Sequence, residues 1–129
     1  MNPLILIVDD QADTRRMLGM LLNFNGFQVN EAFDGVDALE KIQTAKPDAM
    51  ILDVMMPRMD GITLCKKLRN HPQTVDLPII MLSGKTTLEA ENEGLQAGAN
   101  SYMFKPMAVQ LLLENINQLL EAQSILQPA

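Results

Sequence analysis

The sequence predicts an α/β protein built on a doubly wound, parallel five-stranded sheet with five flanking helices. Five short apolar runs alternate with segments whose apolar residues recur at helical spacing, and such runs suit strands buried on both faces. Each connection between two runs holds a helical segment, which implies parallel strands and right-handed crossovers. Four of the five runs end in a charged or hydroxyl residue. In sheets of this kind the functional groups collect at those carboxyl ends.

The elements follow one another with clear boundaries. The apolar runs predict strands at residues 4–8, 27–32, 49–52, 77–82 and 100–104. The helical patterns predict helices at residues 13–24, 36–46, 62–69, 87–97 and 108–122. Glycine, proline and asparagine mark most of the turns, as in Asn25-Gly26, Asp34-Gly35 and Asn70-His71-Pro72, because these residues favour turn conformations or interrupt regular structure.

Helical periodicity also predicts which side chains face the core. In the last helix the spacing is close to 3.6 residues and predicts one buried stripe with Leu111 exposed on the opposite side. Cys65 and Leu68 share the apolar face of the third helix, so Cys65 is expected to be buried and unreactive. The stripes predicted for the first and last helices are Met17, Leu18, Leu21 and Leu22, and Val109, Leu112, Leu113, Ile116, Leu119 and Leu120.

Length and composition limit the classes of function. The chain has 129 residues with 47% hydrophobic content, which suits one domain with a real core. Its net charge of −6 argues against direct nucleic-acid binding. A single cysteine fits a reducing compartment, and neither a membrane span nor a signal peptide is evident. We expect a cytoplasmic protein whose domain covers residues 1–122, with residues 123–129 forming a tail or the start of a linker.

The strand-end residues suggest phosphoryl chemistry. Asp9 and Asp10 follow the first strand, Asp53 the third, Ser83 the fourth and Lys105 the fifth. Three carboxylates at one edge repel each other, and Mg²⁺ would relieve that repulsion. Asp53 could attack phosphorus as a carboxylate nucleophile, forming a labile aspartyl phosphate. Mg²⁺, the Ser83 hydroxyl and the Lys105 ammonium would stabilise the phosphoryl oxygens.

Simpler interpretations of the same residues remain open at this point. Asp9 and Asp10 would also suit the N-terminus of the first helix, where acids are favoured by the helix dipole. Asp53 taken alone would suit a solvated strand end, and Tyr102 a partly buried core position. The acids Glu89, Glu91 and Glu93 are expected to form a solvated face of the fourth helix.

Taken together, the motifs resemble those of the response regulator receiver domain of two-component signalling, in the single-domain architecture of the chemotaxis regulators. The resemblance covers residues 4 to about 121, nearly the whole chain. It implies a flavodoxin-like fold with strand order 2-1-3-4-5. The pieces that carry it are Val8-Asp9-Asp10, the stretch Asp53-Val54-Met55-Met56-Pro57-Arg58-Met59-Asp60-Gly61, Leu82-Ser83-Gly84, Gly98-Ala99-Asn100-Ser101-Tyr102, and Lys105-Pro106.

The resemblance also implies a role for individual residues. Asp53 corresponds to the phosphoacceptor, and Ser83 and Lys105 to the contacts of the phosphoryl group. The Mg²⁺ ligands would be Asp10, Asp53 and the Met55 carbonyl, with Asp9 acting through water. Ser83 and Tyr102 would form the conformational switch, and Pro106 would follow a cis peptide bond.

Two departures from the family pattern concern the loop after the fourth strand and the lifetime of the phosphorylated state. Gly84 stands where the family usually has alanine, which loosens the loop. Met55 and Lys85 stand two residues after Asp53 and Ser83, and they are not the polar pair that positions a hydrolytic water in fast-decaying members. We therefore expect a protein that catalyses its own phosphorylation and slow dephosphorylation, and that is not a conventional enzyme.

The resemblance implies partners as well. The phosphoryl group would come from a histidine kinase or phosphotransfer protein. A downstream protein would bind the face formed by helix four, strand five and helix five. Helices four and five are acidic, and helix five has no lysine or arginine, so like-charge repulsion favours a monomer.

The sequence leaves open whether this is a single-domain regulator or a receiver cut from a longer multidomain regulator. Other functional classes fit less well, and one of them is a pseudo-receiver that acts only by interaction. A phosphatase of the haloacid dehalogenase type would need an aspartate where Met55 stands. A flavodoxin-type cofactor protein would need a Ser/Thr/Gly-rich loop where Asp9-Asp10-Gln11 stands.

Overall fold

The computed structural model describes residues 2–56, 59–106 and 108–126, with side chains described through Gln123. Pro57 and Arg58 of the predicted loop and the last three residues of the predicted tail lie outside this part. The strands are β1 (Leu4–Val8), β2 (Gln28–Ala32), β3 (Ala49–Asp53), β4 (Ile79–Ser83) and β5 (Ser101–Phe104). The helices are α1 (Ala12–Phe24), α2 (Gly35–Thr44), α3 (Gly61–Arg69), α4 (Leu88–Ala97) and α5 (Val109–Leu126).

The sheet is parallel throughout, and its strand order is β2-β1-β3-β4-β5. This arrangement confirms the predicted fold class and order. Side chains that alternate along each strand divide the core into two layers. Ile5 and Ile7 of β1 pack with α1 and α5, whereas Leu6 and Val8 pack with α2, α3 and α4. Burying one such side chain contributes about 1.5–3 kcal/mol, so the two layers hold the strand ends in fixed register.

Each of the three helices on one face of the sheet, α2, α3 and α4, begins with a side-chain N-cap hydrogen bond. Oδ1 of Asp34 accepts a hydrogen bond from Asp37 N, and Oδ1 of Asp60 accepts one from Thr63 N, both at 2.8 Å. Thr87 Oγ1 accepts one from Ala90 N at the start of α4. Each cap satisfies a helix N–H that has no partner within the helix. These caps place the loops that precede them at the carboxyl edge of the sheet.

Several predicted boundaries were wrong by one to four residues. β4 begins at Ile79 and not at Leu77, because Pro78 has no N–H to contribute to a ladder. β2 begins at Gln28, since Phe27 N is hydrogen-bonded to Leu22 O at the end of α1. α5 continues to Leu126 although we predicted its end at residue 122. No glycine or proline interrupts the sequence between those two positions.

Two predicted stripe residues face solvent. Met17 is 56% exposed and Val109 is 38% exposed, whereas Leu18, Leu22, Leu112 and Ile116 are buried as predicted. Met17 lies about 100° around the helix from Leu18, so the sheet covers only one of these two neighbours. Leu111 is exposed and Cys65 is buried, as predicted. Within the described residues, no helix combines the length and the apolar character needed to cross a membrane.

Candidate functional site

The predicted site residues lie together at the carboxyl edge of the sheet. Asp53 is the last residue of β3 and Ser83 the last residue of β4. In the ladder Asp53 pairs with Leu82 and Ser83 pairs with Phe104, so these strands end at nearly the same level. Asp9 follows β1 and Lys105 follows β5 directly. Parallel pairing therefore brings residues from four strands to one small region.

Three carboxylates form the centre of this region. One oxygen from each of Asp9, Asp10 and Asp53 lies within 4.8 Å of the others. Asp9 and Asp53 are buried, with relative exposures of 2% and 7%, and Asp10 is exposed. Two buried acids so close together are unfavourable unless a positive charge lies near them.

Lys105 supplies part of that charge. Its Nζ lies 3.3 Å from Oδ2 of Asp9 and 3.6 Å from Oδ1 of Asp53. The ammonium is thus placed between the two buried acids and binds both. One positive charge against three negative charges leaves the group anionic, so the region still favours a cation.

The electrostatic consequence appears at Asp53. The pKa of its carboxyl group is raised from 3.8 to about 6, chiefly by burial and next by the negative charge of Asp9. Lys105 and the N–H of Met55, which lies 3.3 Å from Oδ1 of Asp53, act in the opposite direction. At neutral pH Asp53 is therefore mainly ionised but poorly solvated, a state that suits a nucleophile.

The loop that carries Asp9 and Asp10 is held by its backbone. Asp9 N donates to Ala32 O of β2, and Arg15 of α1 donates to Asp9 O at 2.6 Å. Oδ1 of Asp9 accepts from Gln11 N at 2.9 Å, and Oδ2 accepts from Lys105. Gln11 is the N-cap residue of α1 and makes no side-chain capping bond. Asp9 and Asp10 thus lie directly before the N-cap position of α1, and neither is the N-cap residue itself.

Ser83 and Tyr102 are linked through the backbone of Lys85. Lys85 N donates to Ser83 Oγ at 3.0 Å, and Tyr102 Oη donates to Lys85 O at 3.1 Å. Ser83 is fully buried and Tyr102 is 9% exposed, so the tyrosine ring points inward. A displacement of the Ser83 hydroxyl would consequently be transmitted to the Tyr102 ring through the backbone of Lys85.

Comparison with known proteins assigns this arrangement to a family. Residues 5–117 match the response regulator receiver domain family. The chain belongs to this family. MprA response regulators are similar: that of Mycobacterium ulcerans is 45% identical over 93% of this chain and 51% of its own length. That of Mycobacterium tuberculosis H37Rv is 44% identical, again over 93% of this chain and 51% of its own length. The chain therefore spans about half the length of the curated relatives it matches.

Solved receiver structures agree with this assignment. The receiver domain of Francisella response regulator 1452 is 35% identical, with a TM-score of 0.88 over 95% of this chain and 99% of its own. A CheY-like receiver domain protein from Methanospirillum hungatei is 30% identical, with a TM-score of 0.91 over 98% of this chain and 100% of its own. The predicted resemblance is thereby confirmed at the level of the family and the fold.

Receiver domains bind Mg²⁺ at an acidic pocket, and the donors present here fit that ion. Carboxylate oxygens are preferred Mg²⁺ ligands, and this cluster retains excess negative charge beside the Lys105 ammonium. Beside it lies an open cavity of about 460 Å³ whose lining includes Asp10, Met55 and Lys85. The residues that would hold the ion are those that the resemblance implies: Asp10, Asp53 and the Met55 carbonyl, with Asp9 acting through water.

The supporting roles of two residues at the receiver site were not predicted from the sequence. A Cβ on Gly61 would lie 2.6 Å from Asp53 O and 2.8 Å from Val54 Cα, so only glycine lets α3 begin this close to Asp53. Asp60 and Gly61 were singled out only as part of the motif that carries the family resemblance, although an acid before a helix also indicates a cap. Arg15, which holds the carbonyl of Asp9, gives no signal in the sequence beyond its position in α1.

The cis peptide bond is present where the resemblance implied one, between Lys105 and Pro106. Gly84, the departure from the family's usual alanine, has open space around it: a Cβ there would meet no heavy atom within 4 Å. The backbone of this receiver would therefore accept alanine at position 84.

Proposed function

We propose that this chain is the phosphoacceptor unit of a two-component phosphorelay, in which Asp53 takes a phosphoryl group from a histidine kinase or phosphotransfer protein. The observation that carries the proposal is the placement of Asp53. Its buried carboxylate lies beside two further acids and one ammonium group at the end of a parallel sheet. This is the donor set needed to make and hold an acyl phosphate.

The reaction begins with the ionised form of Asp53. An Oδ atom of Asp53 forms a bond to phosphorus while the N–P bond of phosphohistidine breaks, and the electron pair of that bond returns to the imidazole nitrogen. Mg²⁺, when bound, supplies positive charge that stabilises the phosphoryl oxygens. Asp10, Asp53 and the Met55 carbonyl are its proposed ligands, with Asp9 acting through water.

Lys105 and Ser83 have separate parts in this proposal. The Lys105 ammonium already lies 3.6 Å from Asp53 and would donate to a phosphoryl oxygen. Ser83 Oγ accepts from Lys85 N in this structure, and its own hydroxyl hydrogen is the donor that remains for phosphate. If Ser83 turns toward the phosphoryl group, the contact with Lys85 changes, and with it the position of Tyr102.

The alternatives weighed from the sequence differ in their support. The complete set of Asp9, Asp10, Asp53, Ser83 and Lys105 argues against a pseudo-receiver. The length of the curated relatives supports the alternative that the chain is the receiver part of a longer regulator. The receiver unit proposed here covers residues 1–122. Residues 123–129 serve as a tail or as the start of a linker, and α5 continues into that segment as far as Leu126.

A downstream protein is proposed to bind the face formed by α4, β5 and α5. Apolar side chains are exposed there on all three elements, together with acids on both helices. Because these acids would repel a second copy of the same face, we propose a monomer that acts in the cytoplasm. The exposed apolar residues are Leu88, Leu95, Phe104, Val109 and Leu111.

The test is phosphate uptake from acetyl phosphate, measured by intact mass with Mg²⁺ and with EDTA. The proposal expects one phosphoryl group on the wild-type protein in Mg²⁺, and none on Asp53→Asn. Asp76→Asn, which changes an exposed acid far from the site, is the matched control and should take up phosphate normally. Uptake by Asp53→Asn equal to that of the wild type would overturn the proposal.

A further inference from the structure

The packing between Tyr102 and α4 is unusually close at one position. A Cβ built on Gly94 would lie 2.7 Å from Cδ2 and 3.0 Å from Cε2 of the Tyr102 ring. It would also lie 2.8 Å from Sδ of Met81. Contacts of this length do not fit carbon next to carbon or sulfur. The inward ring therefore occupies space that any side chain at position 94 would need.

The backbone does not explain why glycine occurs at position 94. Of the seven glycines in the chain, only Gly26 and Gly98 have positive φ angles. Gly94 is an interior residue of α4, where glycine is less favourable than alanine because of its conformational entropy. The space taken by Tyr102 and Met81 is the remaining explanation.

The inward ring makes the contact that links it to the phosphoryl site. Its hydroxyl donates to Lys85 O, and Lys85 N donates to Ser83 Oγ. If the ring left its position, the hydrogen bond between the Tyr102 hydroxyl and Lys85 O would be lost. Tyr102 would then no longer be linked to Ser83 through Lys85.

We infer that Gly94 is the positioning residue of Tyr102: the missing side chain on α4 provides the inward site of the ring and so couples the ring to Ser83. This inference rests on the proposed function in one respect, namely that Tyr102 responds to the phosphoryl group. The packing claim itself does not depend on phosphate.

A methyl group at position 94 should displace the ring and not Met81. Met81 is fully buried in the interior strand β4, with 0% exposure. Tyr102 lies on the edge strand β5, and its neighbour Phe104 on the same strand is 39% exposed. The tyrosine ring is therefore the group with a route to solvent.

The chain provides its own probe for this displacement. Tyr102 is its only tyrosine and it has no tryptophan, so intrinsic tyrosine fluorescence reports this ring alone. In Gly94→Ala we expect acrylamide to quench the fluorescence severalfold more strongly than in the wild type. Beryllofluoride with Mg²⁺ should change quenching in the wild type and leave it unchanged in the variant, while Asp53 still takes up phosphate.

Gly19→Ala is the matched control. Gly19 is also a buried glycine inside a helix, but a Cβ there would meet Val29 Cγ1 at 3.5 Å, an ordinary contact. This variant should keep the wild-type quenching and its response to beryllofluoride. If Gly94→Ala also behaves as the wild type, the inference is wrong.

Further outcomes separate folding and function from the inference. If Gly94→Ala does not fold, Gly94→Ala/Tyr102→Ala should fold, because the clashing ring is gone. If neither variant folds, the clash with Met81 and not the clash with Tyr102 explains the glycine, and the inference is overturned. If the wild type takes up no phosphate, the proposed function fails. The packing claim is then tested by acrylamide quenching of the unphosphorylated proteins alone.

Discussion

Nζ of Lys105 lies 3.6 Å from Oδ1 of Asp53 although their strands are not neighbours in the sheet. β4 separates β5 from β3, so the ion pair crosses the end of a strand. It ties the edge strand that carries Tyr102 to the proposed phosphoacceptor. Movement of Lys105 toward a phosphoryl group would therefore also shift β5.

The first prediction concerns this ion pair. Lys105→Ala should still accept phosphate, but slowly, because one donor for the phosphoryl oxygens is lost. The variant should no longer pass the signal to β5. We expect hydrogen exchange at residues 84–105 to respond to beryllofluoride in the wild type and in Lys46→Ala, an exposed lysine elsewhere. The same response in Lys105→Ala would remove Lys105 from the mechanism.

The second prediction concerns pH. Burial raises the pKa of Asp53 to about 6 in the folded state, against 3.8 for an ordinary aspartate. The folded state thus binds this proton more tightly than the unfolded chain, so stability falls as pH rises from about 4 to about 6. The full effect is roughly 3 kcal/mol. It should be measured in EDTA as the difference in free energy of unfolding between Asp53→Asn and the wild type.

Asp53→Asn has no carboxyl group to ionise, so it should gain stability over the wild type across this pH range. Below about pH 4 the difference should become constant. Asp76→Asn serves as the control, since that acid is exposed. Parallel stability curves for Asp53→Asn and the wild type would show that the Asp53 carboxylate is solvated.

The third prediction concerns metal affinity. Asp10→Ala should weaken Mg²⁺ binding at least about tenfold, since even the loss of an outer-shell partner of a metal ligand costs roughly 10- to 100-fold. Titration calorimetry with Mg²⁺ alone is the measurement. Asp13→Ala is the control, because the Asp13 side chain on α1 is fully exposed, at 102%. Equal affinities of Asp10→Ala and the wild type would exclude Asp10 as a ligand.

The fourth prediction concerns the lifetime of the phosphorylated state. Met55 and Lys85 both line the cavity beside Asp10, and neither offers the polar groups that position a hydrolytic water in fast-decaying family members. Phosphorylated wild-type protein should decay over many minutes or longer. Met55→Asn/Lys85→Glu should decay faster, as measured by intact mass after removal of the phosphodonor. An unchanged decay rate in the double variant would contradict this account.

Much of the fold and site could be predicted because the signals are local. An apolar run followed by Asp53, or by Ser83, identifies both a buried strand and its functional end. The parallel topology then requires these ends to meet. Helix faces were less predictable: Met17 is next to Leu18 in the stripe, but only the packing shows which of them the sheet covers.

The supporting residues could not be predicted, because their roles depend on contacts between different structural elements of the folded chain. Gly61 is required by the backbone of Asp53, and Gly94 by the ring of Tyr102. Arg15 acts on the carbonyl of Asp9, six residues earlier in the chain. In each case the relevant quantity is a distance of about 3 Å or less between two elements, which periodicity and spacing do not encode.

The central claim is that Asp53 itself carries the phosphoryl group, and mapping the acyl phosphate tests it most directly. The protein would be phosphorylated with acetyl phosphate and Mg²⁺ and then reduced with borohydride, which converts an aspartyl phosphate to homoserine. Peptide mass spectrometry would locate the homoserine. The account predicts homoserine at position 53 and at neither position 9 nor position 10. Homoserine at position 9 or 10 with unmodified Asp53, or stable phosphate on Ser83, would contradict it.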